Sequence, residues 1–265
     1  MDTTNLDALL SLLLTENGSQ LIIPDSLYEK RKLLRILLNV RSAELATEDL
    51  ISRQNRELQE QLQEKGIVDV SALPSCPLSN RLILWQGDIT RLKADAIVNA
   101  ANSELLGCFS PLHNCIDNAI HSAAGIQLRW ECHQIMLQQG SSEPTGLAKI
   151  TSAYNLPAQH VIHTVGPVIG NKPLTLKDEQ LLASSYQSCL LLAQQCGLKS
   201  IAFCCISTGV FGFPNQRAAE IAVETVLSFF NLQKSTPIEK VIFNVFKDTD
   251  YDIYRKLLYE SHQKQ

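Results

Sequence analysis

The chain lacks the features that would place it in a membrane, on nucleic acid or among the common nucleotide-cofactor enzymes. No apolar run approaches the roughly 18 residues that a membrane span requires. The opening Met1-Asp2-Thr3-Thr4-Asn5-Leu6-Asp7 has no basic stretch of the kind that begins a signal peptide. There is no excess of cations. Lys and Arg number 23 against 27 Asp and Glu, giving a net charge of −4 and a pI near 5.9. That balance leaves no electrostatic footprint for nucleic acid and disfavours a poly(A) binder. There is no G-x-G-x-x-G and no P-loop lysine, so neither a Rossmann dehydrogenase nor a P-loop NTPase is indicated. Internal repeats and low-complexity tracts are also missing. Eight cysteines without an export signal suggest a cytoplasmic protein, in which thiols serve as metal ligands or core residues rather than disulfides.

What is present is most concentrated in Gly107-Cys108-Phe109-Ser110-Pro111-Leu112-His113-Asn114-Cys115. Two thiols and an imidazole are soft ligands suited to Zn²⁺, and three protein ligands leave a fourth position for water or substrate, as in a catalytic site. Pro111 keeps Ser110 from being helical, so Cys108, His113 and Cys115 sit on a loop that can wrap one ion. The competing reading treats cysteines as small buried hydrophobes. It suits Cys189, Cys196, Cys204 and Cys205, which have apolar surroundings. Cys132 and His133 are adjacent in a helical stretch and diverge. The trio is not a C-x-x-C pair, and on spacing alone the two readings weigh equally.

The chain changes character near residue 76. Leu9 to Leu14 and Leu33 to Leu38 carry helical apolar spacing, and Asn55 to Lys65 is a Gln/Glu/Leu-rich helical stretch. Pro24-Asp25-Ser26 reads as a turn into an N-cap, and Leu73-Pro74-Ser75-Cys76-Pro77 as a linker. Residues 1–75 are therefore expected to be a helical region and linker, with 76–265 as the main domain. The helical region carries no catalytic constellation, so it is expected to affect packing, stability or partner choice rather than chemistry. After the linker, strands are predicted at Arg81–Gln86, Ala96–Val98, Ala148–Ala153, Val161–Val165, Ile201–Cys205 and Val241–Val245. Helices are predicted at Ile116–Met136 (broken near Gly125), Leu181–Cys196, Gln216–Phe230 and Tyr251–Glu260. This alternation implies a layered α/β domain.

Ser207-Thr208-Gly209-Val210-Phe211-Gly212 follows one of these strands and precedes a helix. Ligands bind outside the carboxyl ends of strands in open α/β sheets, and glycine lets backbone N–H groups approach an anion. A tight turn needs glycine too, so the anion site is the slightly stronger of two readings.

The set of motifs resembles the macrodomain family. The matching segments are Gln86-Gly87-Asp88-Ile89-Thr90, then Ala94-Asp95-Ala96-Ile97-Val98-Asn99-Ala100-Ala101-Asn102, then Ile116-Asp117-Asn118-Ala119-Ile120-His121-Ser122-Ala123-Ala124-Gly125. They continue with Val161-Ile162-His163-Thr164-Val165-Gly166-Pro167 and Ile206-Ser207-Thr208-Gly209-Val210-Phe211-Gly212-Phe213-Pro214. They lie in family order over about residues 81–260. The resemblance implies a three-layer α/β/α domain with a mixed central sheet that binds ADP-ribose. One departure is informative: the glycine run usual before Ile116-Asp117 is replaced by the Cys108, His113, Cys115 loop. That resembles the zinc-dependent branch found in bacteria and some fungi, which carries an N-terminal helical extension. The branch implies a zinc cofactor, the removal of ADP-ribose from modified proteins, and a partner system of a sirtuin-like transferase and a lipoylated carrier like the glycine-cleavage H protein.

Residue roles follow from the resemblance and from chemistry together. Asp88 suits the adenine amine, with the Ile89 N–H nearby; the alternative for Asp88 is a turn residue. Phe246 stacks on adenine or is a core aromatic. Asn102 bonds distal-ribose hydroxyls and is counted with the catalytic groups. Asn99 does the same or holds the loop. Ile116 lines the same end, and Ser207, Thr208, Gly209, Val210 and Phe211 wrap the diphosphate and ribose. Asp117 orients a water or a ribose hydroxyl as general base or is an N-cap carboxylate. His121, four residues on and on the same helix face, reads as a packed histidine rather than a fourth ligand, and His163 as a core histidine. The expected activity is hydrolysis of mono-ADP-ribose from Asp or Glu side chains. The alternative is a non-catalytic ADP-ribose reader with a structural zinc.

Overall fold

The computed structural model describes residues 3–260, so the outermost ends of the two expected regions lie outside the described residues. Three helices come first. Helix α1 (Thr4–Glu16) buries Leu6, Leu9, Leu10, Leu13 and Leu14, the spacing of a one-sided helix. Helix α2 (Leu27–Val40) starts where Ser26 accepts a hydrogen bond from the Glu29 N–H, and helix α3 (Glu48–Lys65) where Thr47 does the same for Leu50. Gly66, at φ +78°, ends α3 in a conformation that favours glycine. Leucines of α1 and α2, with Leu50 of α3, form an apolar cluster that includes Ile126 of the following domain, so the helical region is packed onto that domain.

The domain is built on a six-stranded sheet. Strand β2 (Leu82–Gln86) lies at one edge, beside β8 (Lys240–Val245), then β7 (Ser200–Phe203), β4 (Ala96–Ala100), β6 (His160–Thr164) and β5 (Ala148–Ser152). All neighbours are parallel except β5 and β6. Ala96 to Asn99 are all buried, as expected for a strand covered on both faces. Helices α4 (Ile116–Ala124) and α5 (Ile126–Gln139) form one outer layer, with α2 packed behind α4. Helices α6 (Leu176–Gln195), α7 (Asn215–Leu232) and α8 (Asp248–Arg255) form the other. The architecture is the expected three-layer α/β/α arrangement with a mixed sheet.

Local departures have local causes. Strands β1 (Val68–Asp69) and β3 (Leu92–Lys93) pair in a separate two-stranded ribbon, so the chain ahead of the linker is already tied to the domain. Helix α6 starts earlier than predicted because Thr175 and Asp178 form a capping box. Helix α8 also starts earlier, and residues Lys256–Glu260 continue it as a π turn. The break between α4 and α5 falls at Gly125, φ +97°. A Cβ there would lie 2.5 Å from the Gln54 side chain, which itself accepts the Ile126 N–H at 2.9 Å. The break in one domain is thus set by a side chain of the N-terminal helices.

Candidate active site

Parallel strands bring the loops after β2, β4, β7 and β8 to the same edge of the sheet. The loop after β4 runs into α4, and it carries the Cys/His trio. One donor atom from each of Cys108, His113 and Cys115 can be chosen so that all lie within 4.8 Å of one another. The Cys108 Sγ to His113 Nδ1 distance is 3.6 Å. Tetrahedral zinc, with bonds of about 2.3 Å to sulfur and 2.0–2.1 Å to nitrogen, holds those two atoms about 3.6 Å apart. The donor set and its spacing therefore fit zinc. Both thiols are half-buried, and burial, against the Asn118 N–H bond and with smaller contributions from Cys108 and Asp117, pushes the Cys115 thiol up to about 11. Zinc loading would displace its proton.

Two backbone features hold the loop's shape. Gly107 sits at φ +79°, with room for no Cβ: one would lie 2.8 Å from the His121 ring. Leu112, next to His113, is left-handed at φ +57°. Cys115 is the N-cap of α4, its Sγ accepting the Asn118 N–H at 3.4 Å.

Asp117, two residues on, is 5 % exposed. Its Oδ1 accepts from Asn99 Nδ2 at 2.8 Å and its Oδ2 from Asn102 Nδ2 at 3.3 Å. His121 Nε2 lies 3.5 Å from Oδ1. Burial raises the carboxyl to about 6, against the Asn99 bond and the Arg129 charge. Each carboxylate oxygen can accept a second hydrogen bond, so Asp117 retains capacity for a water or hydroxyl.

The two asparagines do not occupy equivalent places. Asn102 is half-buried, and its amide also donates to Gly107 O at 3.0 Å. Asn99 is fully buried, with its Nδ2 directed to Asp117 and to His163 Nδ1 at 3.2 Å. Its Nδ2 thus holds Asp117, while its buried Oδ1 has no partner among the described residues. Ile116 is the first, half-buried residue of α4.

His163 also bonds Thr151 Oγ1 at 2.9 Å through Nε2, and burial lowers it to about 3. His121, Cys132 and His163 form another close group of metal-type side chains. With Asn99 donating to Nδ1 of His163, its Nε2 carries the proton for Thr151, leaving no lone pair for a metal. That group is core.

At the end of β7, Ser207 is left-handed (φ +65°) and buried, and its Oγ has no partner among the described residues. It stands against Gly166, where a Cβ would come within 2.1 Å of that Oγ. Thr208 Oγ1 donates to Cys205 O at 3.1 Å, and Phe213 N to Ser207 O at 2.9 Å. The turn is closed by Gly212 N to Gly209 O, and Phe211 O accepts from Ile169 and Gly170. Val210 is exposed. At the sheet edge, Asp88 Oδ1 caps a short 3₁₀ turn by accepting from Thr90 N (3.0 Å) and Thr90 Oγ1 (2.6 Å). Its Oδ2 faces Lys65 Nζ at 3.6 Å. Ile89 is buried. Phe246, just past β8, is 76 % exposed, so it is not a core aromatic.

The sequence reading missed Asn118, Arg35, Asn39 and Arg129. Arg129 Nε donates to Leu106 O at 2.7 Å, its Nη1 bonds Leu38 O and Arg41 O, and its guanidinium lies 4.3 Å from the Phe109 ring centre. Nothing in the sequence around them marks these residues, because their neighbours on the same faces of α2 and α4 are themselves largely polar.

The Macro domain family model matches residues 98–222. The "Protein-ADP-ribose hydrolase" of Treponema medium is 50 % identical over 256 residues, covering 94 % of this chain and 96 % of that protein. Among solved structures, the Trypanosoma brucei macrodomain in complex with ADP-ribose is similar at TM-score 0.65 and 29 % identity, over 88 % of this chain and 96 % of that one. The Oceanobacillus iheyensis macrodomain with ADP is similar at TM-score 0.61 and 38 % identity, over 69 % of this chain and 93 % of that one. The chain belongs to the Macro domain family. Among the described residues no helix is long and apolar enough to cross a membrane.

Proposed function

We propose that this chain is a zinc-dependent hydrolase that removes mono-ADP-ribose from acidic side chains of modified proteins. The observation that carries the reading is the meeting of a three-ligand Cys108, His113, Cys115 set with a buried carboxylate, Asp117, at the start of α4. The Treponema medium relative, named a protein-ADP-ribose hydrolase, supports it. Zinc bound by such a set supplies Lewis acidity toward an oxygen of the distal ribose or a water.

The chain's own residues supply the rest. Asp88 Oδ2 accepts from the adenine amine, and Phe246 lies on adenine. The Gly209 to Phe211 backbone holds the diphosphate, and Asn102 a distal-ribose hydroxyl. Asp117, ionised at neutral pH and fixed by Asn99, takes the proton of a water that adds to C1″ as the bond from C1″ to the substrate carboxylate opens. That carboxylate leaves as a stable anion. A serine alkoxide or an arginine guanidine leaves far less readily, and the thiols of Cys108 and Cys115, which would hold the zinc, would then not serve as nucleophiles.

The test is release of ADP-ribose from proteins modified on Glu or Asp, on Ser and on Arg. A lipoylated carrier modified by a sirtuin-like transferase, the substrate the family resemblance implies, forms a further arm. Preferential release from Glu or Asp is expected. Preference for Ser or Arg would show that leaving-group ability does not govern the site, and no release from any would return the chain to an ADP-ribose reader. Binding itself is testable at Asp88. Asp88→Asn keeps an oxygen to cap the turn but replaces the second acceptor with a donor. ADP-ribose affinity measured by calorimetry should fall about 5- to 150-fold, the roughly 1–3 kcal/mol of an unsatisfied polar contact. Unchanged affinity would leave Asp88 a turn residue only.

A further inference from the structure

We infer that helix α2 is a brace for the ligand loop: Arg35 and Asn39, acting with Asn118, fix the backbone around Cys108, His113 and Cys115. They thereby set how tightly that trio holds its metal, a consequence that rests on the zinc reading above. This gives the N-terminal helices a part in the chemistry, where the sequence suggested only packing, stability or partner choice.

The contacts converge on Asn118, which is fully buried. Its Oδ1 receives two N–H groups of the Arg35 fork, Nε at 3.1 Å and Nη2 at 2.8 Å. The same Nη2 donates to His113 O at 3.2 Å. Asn118 Nδ2 donates to Ser110 O at 3.0 Å and Cys108 O at 3.4 Å, and its backbone N–H to Cys115 Sγ. One residue thus reaches the backbone of one ligand residue through its side chain, the sulfur of another through its own N–H, and, through Arg35, the carbonyl of the third. Asn39, also buried, accepts the Leu112 N–H at 3.0 Å and donates to Ser122 Oγ at 2.9 Å. Ser122 Oγ donates on to Asn118 Oδ1 at 3.3 Å, closing the network. Asn39 therefore holds the left-handed residue that turns His113 toward the thiols.

The loop belongs to no helix or strand, so its backbone groups need such side-chain partners. Its alternative is a mobile loop that must be ordered when metal binds. Helix α2 is itself held from behind, by Leu34, Leu37 and Leu38 in the N-terminal cluster and by Arg31 on Glu57 at 2.8 Å. Arg35 and Asn39 touch no reacting atom; they are positioning residues.

The experiment uses the full chain, wild type against Arg35→Ala, Arg35→Lys, Asn39→Ala, Asn118→Ala and the Arg35→Ala/Asn118→Ala pair. Two readouts are taken: zinc affinity by competition with a chromogenic chelator, and deuterium exchange of residues 107–115 in metal-free protein. Zinc should bind roughly 10- to 100-fold more weakly in Arg35→Ala and Asn39→Ala, the range for loss of an outer-sphere contact to a metal ligand. Exchange in the loop should accelerate while the sheet strands keep wild-type protection. The Arg35/Asn118 pair should be less than additive, because both changes remove one contact. Arg35→Lys, with no fork and no second donor in the same plane, should rescue only part of the loss and guards against misfolding of the alanine variants. Wild-type zinc affinity and loop exchange in both Arg35 variants and in Asn39→Ala would overturn the brace and leave the zinc reading standing. A wild-type chain that takes no zinc would overturn the zinc reading and the affinity half of the inference, with exchange at 107–115 still deciding whether α2 braces the loop.

Discussion

With Cys108, His113 and Cys115 as the proposed zinc ligands, Cys115→Ser should abolish zinc binding and lower protein-ADP-ribose hydrolysis about 1,000-fold without unfolding the chain. The position has two jobs. Its sulfur is one of three candidate ligands, and it is also the N-cap of α4. Serine is a good N-cap but a hard, neutral oxygen, a poor substitute for thiolate toward zinc. Alanine loses both functions. Cys115→Ala should therefore match Cys115→Ser in zinc and rate, yet melt lower, by the roughly 0.5–2 kcal/mol that a lost cap costs. The rate effect is the several kcal/mol that a Lewis acid contributes at an oxygen bearing developing charge, about tenfold for each 1.4 kcal/mol. The fold should survive because Cys115 belongs to neither apolar cluster. Elemental analysis, thermal melts and single-turnover release of ADP-ribose check the three expectations separately. A Cys115→Ser protein with wild-type zinc content and rate would end the zinc reading. One that loses zinc yet keeps its rate would make the metal structural.

Much of this site was legible because its chemistry is local in sequence. Cys108, His113, Cys115 and Asp117 lie within ten residues, so the stretch stood out as a candidate site, although spacing alone left a metal site and buried thiols equally weighted. The strand and helix alternation was legible for the same reason: period and apolar runs are properties of short windows. What escaped depends on distant pairing. Asn118 and Arg35 are 83 residues apart, and nothing in either neighbourhood marks the other. The break at Gly125 was visible, but its cause, Gln54, lies in another helix. Two-residue strands such as β1 and β3 have no periodicity to read. Asn99 shows the limit well. A strand residue followed by a polar loop can face a ligand or the wall, and only the position of α4 decides that its amide meets Asp117. Phe246 was undecided for the complementary reason: an aromatic after an apolar strand is as often the last core residue as the first exposed one, and its side chain proves to be outside.

Asp117→Ala should lower kcat about 100- to 10,000-fold, the range for loss of a positioned general base, while ADP-ribose affinity changes only a few-fold. The split matters because a residue that merely shaped the pocket would move affinity and rate together. Asparagine is the customary isosteric control, and here the geometry argues against it. Both Asp117 oxygens accept from amide donors, Asn99 on one side and Asn102 on the other. An asparagine would turn its NH₂ group toward one of those donors. Asp117→Asn is thus expected to be no milder than Asp117→Ala and to lower stability by about 1–3 kcal/mol through an unsatisfied buried amide. Asn99→Ala completes the argument. It leaves the carboxylate in place but removes the bond that fixes it, so its rate should fall less than that of Asp117→Ala, and the double variant should be no slower than Asp117→Ala alone, because the base that Asn99 fixes is already gone. Steady-state kinetics on a Glu-modified protein with calorimetric ADP-ribose binding on the same samples gives both numbers. A wild-type kcat in Asp117→Ala would remove the general base from the mechanism, and equal losses of rate and affinity would make Asp117 a binding group.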